Sequence, residues 1–248
     1  MSSPSASLPS LDAALADMDT VFNGFASPTE IGCERCFHPE ETAYLRTPYT
    51  WLPADLLRRF VYKVPGHFED HAAVMRRLLP QTARAMADGS LDVAWWGHGL
   101  ARVNWRSWPS HQADAIQAFL TAWWREALAT PQPPHPITDI FASCSTIAGT
   151  VTPFLTDWIR HPVADAHLVS CARLWLTDLL SDDAPVSDWS DESKEAATAE
   201  LSSWFAREAP GRLRAQGEPG LATEAELLAL PYDDRWSHPY WYKPSATN

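Results

Sequence analysis

Apolar residues return at steps of three and four along most of this chain, and that period predicts helices. Leu11, Leu15, Met18, Phe22 and Phe25 make one face of a first helix over 11–25, with Ser10 as its N-cap. After a turn-rich stretch over 26–38, Pro39 sits where a helix can begin without losing a bond, and Glu40 and Glu41 suit its positive end. Pro53 opens the next helix, facing Leu56, Leu57, Phe60 and Val61 inward, and Pro65–Gly66 ends it. A helix follows over 67–79, and Pro80 reads as the start of a further short one ending at Gly89. The apolar stretch 91–105 is read as helical despite Gly97 and Gly99. Pro109 starts a long helix whose stripe is Ala113, Ile116, Phe119, Leu120, Trp123, Trp124 and Ala127.

The second half repeats the pattern. Helices are expected over 137–148, 153–160, 162–180 and 191–209, the last facing Leu201, Trp204 and Phe205 inward. The stretches 181–190 and 210–220 read as loops, and Thr223-x-x-Glu226 as a capping box opening a short helix to Leu230. The aromatic, proline-rich tail from 231 on has no period, and its aromatic groups either dock on the body or bind a partner, with docking preferred. Alternating apolar and polar runs are missing, so no strand is expected. The fold class expected is all-α, with about ten helices in antiparallel pairs, as a compact bundle or a short solenoid loosely similar to HEAT repeats. No fixed repeat period supports the solenoid form. Residues 1–248 are read as a single domain with 1–9 and 244–248 disordered. The proline-dense segment 131–136 is either a sub-boundary or a loop, and the loop reading is preferred.

Composition narrows the function. A formal charge of −12 repels phosphate backbones, so nucleic acid and anionic membranes are not expected partners. No run approaches the ~20 apolar residues of a membrane span. The N-terminus carries no signal-peptide pattern, and the expected location is cytoplasmic. The four cysteines do not form a secreted disulfide framework.

The sharpest local feature is Gly32-Cys33-Glu34-Arg35-Cys36-Phe37-His38. Two thiols at this spacing can place both sulfurs on one metal ion, and His38 is near enough to be a third ligand. His67 and His71, four apart on the helix expected there, are the source of a further donor. The candidate site is therefore Cys33, Cys36, His38, His67 and His71, with zinc as the candidate ion. Three readings of the turn remain open: a metal site, a redox dithiol, and two small thiols that pack a turn. A single C-x-x-C is weaker evidence than two, and a redox role lacks the βαβ pattern that usually carries it.

The segments Gly32-Cys33-x-x-Cys36, Pro39-Glu40-Glu41, Trp51-Leu-Pro-Ala-Asp-Leu56, Arg77-Leu-Leu-Pro80 and Trp105-Arg-Ser-Trp-Pro109 together resemble a family of uncharacterised bacterial all-helical proteins. The resemblance is strong over the first half of the chain and weak over the second. It implies that the cysteine turn and the Trp-Arg-x-Trp-Pro segment are family signatures, and it implies no activity.

Thirteen tryptophans are far more than the usual share, and Trp95, Trp96, Trp105, Trp108 and Trp123 crowd one third of the chain. They line a ligand- or partner-binding groove in one reading and lock helices together in the other. No G-x-S-x-G elbow, Walker A or H-E-x-x-H motif occurs. Two functions follow. The first is a helical interaction or scaffold protein for a protein partner, stabilised by a structural zinc at the cysteine turn. The alternative is a metal-dependent enzyme or small-molecule binder with an open metal site and a Trp-lined pocket.

Overall fold

Helix forms over most of the stretches where the apolar period runs, and the fold is all-α. A computed structural model of the chain describes residues 9–93, 97–183 and 191–242, and among these there are twelve α-helices, three short 3-10 helices and no strand. The α-helices are α1 (Leu11–Phe22), α2 (Pro39–Arg46), α3 (Ala54–Val61), α4 (His71–Ala87), α5 (Gly97–Ala101), α6 (Ser110–Ala129), α7 (Ile137–Ala148), α8 (Thr152–Thr156), α9 (Pro162–Leu180), α10 (Asp191–Ala215), α11 (Pro219–Leu227) and α12 (Tyr232–Ser237). The 3-10 helices are Pro65–His67, Trp105–Ser107 and Pro239–Tyr242.

The chain divides into two compact units, Met1–Ala127 with Gln132–Ala148, and Leu128–Pro131 with Gly149–Asn248. In the first, α4 is the hub: α1, α2 and α3 all pack on it, and α5 packs on α7. Its core includes Met18, Phe22, Leu45, Phe60, Val74, Leu78, Ile116, Trp124 and Phe141. In the second unit α9, α10 and α11 pack on one another and α8 packs on α10. Trp158, Trp175, Trp204 and Phe205 form its aromatic centre, with Trp158 and Trp204 stacked at 5.3 Å.

Several boundaries differ from the sequence expectation. Pro80 does not start a helix but lies inside α4, and Pro210 lies inside α10, which runs on to Ala215. An interior proline removes one backbone bond and costs roughly 3 kcal/mol. The buried stripe Val74, Met75, Leu78, Leu79, Ala83 and Met86 continues on both sides of Pro80, and burial of that stripe outweighs the lost bond. Ala197, Leu201, Phe205, Ala209 and Leu213 do the same across Pro210.

The expected capping box is also absent. Pro219 opens α11, so Thr223 lies within the helix and its hydroxyl donates to the Pro219 carbonyl at 3.0 Å. Among the described residues of the stretch 91–105 the α-helix is the short α5, where Gly99 lets the backbone come close. A Cβ there would lie 3.3 Å from the Val61 carbonyl oxygen. The tail to Tyr242 is ordered and docked. The Arg235 Nη1 donates to the Leu180 carbonyl at 3.2 Å, and the Tyr240 hydroxyl donates to Glu224 at 2.9 Å.

Candidate metal centre

The site lies in the first unit, where the loop before α2 meets the loop before α4. Gly32 adopts φ +65, a left-handed conformation, and a Cβ there would come within 2.9 Å of the Thr42 methyl group. The chain then closes a tight turn: the Cys36 and Phe37 N–H groups both donate to the Cys33 carbonyl, at 2.8 and 3.0 Å. This turn brings the side chains of Cys33 and Cys36 to one side.

Two aromatic residues set the partner segment. Phe37 follows Cys36, and Phe68 follows His67. Both rings are buried, 6.1 Å apart and near parallel, and Phe60 of α3 touches each at 4.6 and 6.2 Å. Cys36 and His67 are thus each next to a side chain anchored in the same hydrophobic cluster.

A buried carboxylate ties the same two segments from below. Glu30 accepts the Gly32 N–H at 2.8 Å and the Glu69 N–H at 3.1 Å on one oxygen, and the Asp70 N–H at 3.2 Å on the other. The residue has no solvent exposure, so these three bonds replace its hydration. Its carbonyl accepts from Arg46 at 2.7 Å, which joins the loop to α2.

The result is a cluster of three donors. The Cys33 sulfur, the Cys36 sulfur and one imidazole nitrogen of His67 all lie within 4.8 Å of one another, and His67 Nδ1 is 3.5 Å from the Cys36 sulfur. A tetrahedral zinc ion with ordinary bond lengths requires edges of about 3.6 Å between sulfur and nitrogen and about 3.8 Å between two sulfurs. The Cys36–His67 separation of 3.5 Å matches such an edge, and all three donors lie within 4.8 Å of one another. The three residues are partly exposed, which gives an ion a path in.

Electrostatics favours the ligating form. The Cys33 thiol is lowered from 9.0 to about 7, first by the His67 imidazole, then by the Arg35 backbone N–H and the Cys36 thiol. A thiolate is the species that binds metal. Cys144 and Cys171 are the opposite case, since full burial pushes both thiols far up. They belong to the core.

The other two expected ligands do not join the cluster. His38 is exposed at the head of α2, and its N–H donates to Glu41 at 2.9 Å. His71 is not on a shared helix face with His67. Pro65 starts a 3-10 turn that holds His67, and Asp70 caps α4 by accepting the Ala73 N–H at 2.9 Å, so the helix begins only at His71. The His71 ring stacks on Phe68 at 5.9 Å, and its Nε2 is buried without a hydrogen-bond partner. Desolvation there lowers its pKa, assisted by Arg102 and opposed by Asp70 and Glu30.

Of the tryptophans expected to line a groove, Trp105, Trp108 and Trp123 are packed into the first unit's core. Trp105 is buried, and its indole N–H donates to the Ile147 carbonyl at 3.0 Å. Trp108 lies between Phe22 at 6.2 Å and the Arg76 guanidinium at 4.1 Å. Trp123 stacks on Phe119 at 5.8 Å. Trp95 and Trp96 lie outside the described residues. Glu30 is the site residue that sequence reasoning missed. A lone Glu before Ile-Gly-Cys carries no local sign of the partner N–H group, which is 39 positions further along the chain.

Comparison of the chain with family models, with curated proteins and with solved structures yields no match.

Proposed function

We propose that this is a zinc-binding helical protein in which Cys33, Cys36 and His67 hold an ion that fastens the cysteine turn to the segment leading into α4. The observation that carries the reading is the convergence of these three donors, two of them from a turn and the third 31 positions beyond Cys36. Two thiolates and an imidazole select zinc among the divalent ions usually available. The ion closes a loop that the unfolded chain leaves open, and so stabilises the fold. A reducing compartment such as the cytoplasm keeps the two partly exposed thiols available.

In this reading the helical body is a scaffold for a protein partner. Its acidic surface and the exposed Ile31, Tyr49, Trp51 and Val64 are the groups it offers. Among the described residues no helix is long and apolar enough to cross a membrane, which fits a role away from the bilayer.

A second reading, a metal-dependent enzyme or small-molecule binder, draws on the count of three chain donors, the number that catalytic zinc sites use. It ranks below the first because Trp105, Trp108 and Trp123 are spent on packing rather than on a pocket. Thermal unfolding with and without a strong chelator decides whether metal is structural. A chelator-induced fall in Tm, down to that of a Cys33→Ser/Cys36→Ser variant, supports the scaffold reading. An unchanged Tm in a metal-loaded protein favours the second.

A further inference from the structure

The two sulfurs that the zinc reading makes ligands are also placed to bond to each other. Cys33 and Cys36 are the first and last residues of a turn closed by the Cys36 N–H, which donates to the Cys33 carbonyl at 2.8 Å. A turn of this kind holds the Cα atoms of its end residues within about 7 Å, and a disulfide spans Cα separations of about 4.4–6.8 Å. The sulfurs lie within 4.8 Å of each other, so joining them asks for side-chain rotation rather than a new backbone path. Both thiols are free and partly exposed, within reach of a small oxidant.

The other two cysteines do not compete. Cys144 in α7 and Cys171 in α9 have no solvent exposure. The missing βαβ pattern argues against a thioredoxin-like catalyst that works on other proteins. It does not bear on a pair that is itself oxidised, which needs only access and a neighbouring sulfur.

We propose, resting on the zinc reading, that Cys33 and Cys36 form a site of reversible oxidation, which hydrogen peroxide closes to a disulfide and so empties of its ion. The step is a two-electron oxidation. One sulfur attacks a peroxide oxygen, an S–O bond forms, the O–O bond breaks and hydroxide leaves. The second sulfur attacks the first, the S–S bond forms, the S–O bond breaks and a second hydroxide leaves. Each hydroxide becomes water by taking a proton, from a thiol in the metal-free chain and from solvent where the sulfur is a zinc-bound thiolate. One peroxide is thus reduced to two waters. Disulfide sulfurs carry no thiolate charge, so two of the three donors are lost together, and His67 alone is too few ligands for the ion. The bonds of Glu30 to Gly32, Glu69 and Asp70 involve neither sulfur and tie the two loops in both states.

The test treats the full chain, zinc-loaded and metal-free, with hydrogen peroxide. It reads intact mass, peptide maps, and zinc captured by a chromophoric chelator. The expected result is loss of the mass of two hydrogen atoms, a Cys33–Cys36 crosslink, and release of zinc in step with the disulfide formed. Cys144 and Cys171 should still alkylate once the chain is unfolded, and dithiothreitol should restore both the mass and zinc binding. The metal-free chain should react faster, because the ion occupies the sulfur lone pairs. In Cys36→Ser that mass loss should vanish, with Cys33 trapped instead as a dimedone adduct. Oxidation that runs on to sulfinic acid, a disulfide between two chains, or zinc that stays bound after the disulfide has formed overturns the proposal. A chain that binds zinc but resists peroxide overturns it too and leaves the zinc reading standing. A chain that forms the disulfide but never binds zinc removes the zinc reading, and the release step with it.

Discussion

The carboxylate of Glu30 accepts the backbone N–H of Glu69 at 3.1 Å, and this one bond joins the loop that carries the two cysteines to the loop that carries His67. The same oxygen accepts the Gly32 N–H and the other accepts the Asp70 N–H, so a single buried carboxylate ties the two loops. Glu30→Ala leaves three backbone N–H groups without their acceptor around a side chain that itself has no solvent exposure. We expect a loss of about 2–4 kcal/mol in urea unfolding, together with weaker zinc binding. A variant that keeps both wild-type stability and zinc affinity would show that Glu30 does not set the site.

Gly32 is the second control point. Its φ of +65 and the 2.9 Å approach of the Thr42 methyl group leave no room for a side chain. Gly32→Ala should cost roughly 1–3 kcal/mol and displace Cys33, its neighbour. Zinc affinity measured by competition with a chromophoric chelator should fall along with stability. A Gly32→Ala protein that binds zinc as tightly as wild type contradicts the claim that this turn positions the sulfur.

The cysteines divide into two classes. Cys33 and Cys36 are partly exposed, and the Cys33 thiol is lowered to about 7, whereas Cys144 and Cys171 are fully buried with their thiols pushed up. Brief iodoacetamide treatment of the metal-free protein should label Cys33 first, with Cys36 next, and leave Cys144 and Cys171 untouched until the chain is unfolded. Zinc should protect the first pair. Peptide mapping by mass spectrometry reads all four positions in one experiment, and equal labelling with and without zinc would count against a shared ion.

His71 makes stability depend on pH. Desolvation holds its folded pKa below the ordinary 6.5. The unfolded chain therefore takes up the proton more readily than the folded one. The neutral ring's contribution to stability is complete above 6.5 and is lost as pH falls through that value toward the lower folded pKa. In chelator-treated protein, wild type should lose stability more steeply below pH 6.5 than His71→Phe, which keeps the ring contact with Phe68. Parallel curves would mean that His71 titrates as it does in the unfolded chain.

How far the sequence carried this account differs from element to element. The helices were legible because their apolar residues keep the helical period, and even Pro80 and Pro210 interrupt only a backbone bond and not the buried stripe. The breaks assigned to those prolines came from local chemistry, which tertiary burial overrode. Cys33, Cys36 and His67 were legible by residue type alone. The exclusion of His71 was not, because it depends on Asp70 taking the cap position after a 3-10 turn, which moves the helix start four residues on. Glu30 was invisible for a related reason: its partners are backbone N–H groups, whose positions no pattern of side chains records.

The most direct test of the central claim is the metal content of the purified full chain by elemental mass spectrometry, beside the Cys33→Ser/Cys36→Ser variant and His67→Ala. The account predicts close to one zinc per chain in the wild type, almost none in the double variant and a marked loss in His67→Ala. A wild-type chain that stays free of metal after exposure to stoichiometric zinc, or one whose zinc survives loss of both cysteines, would contradict it.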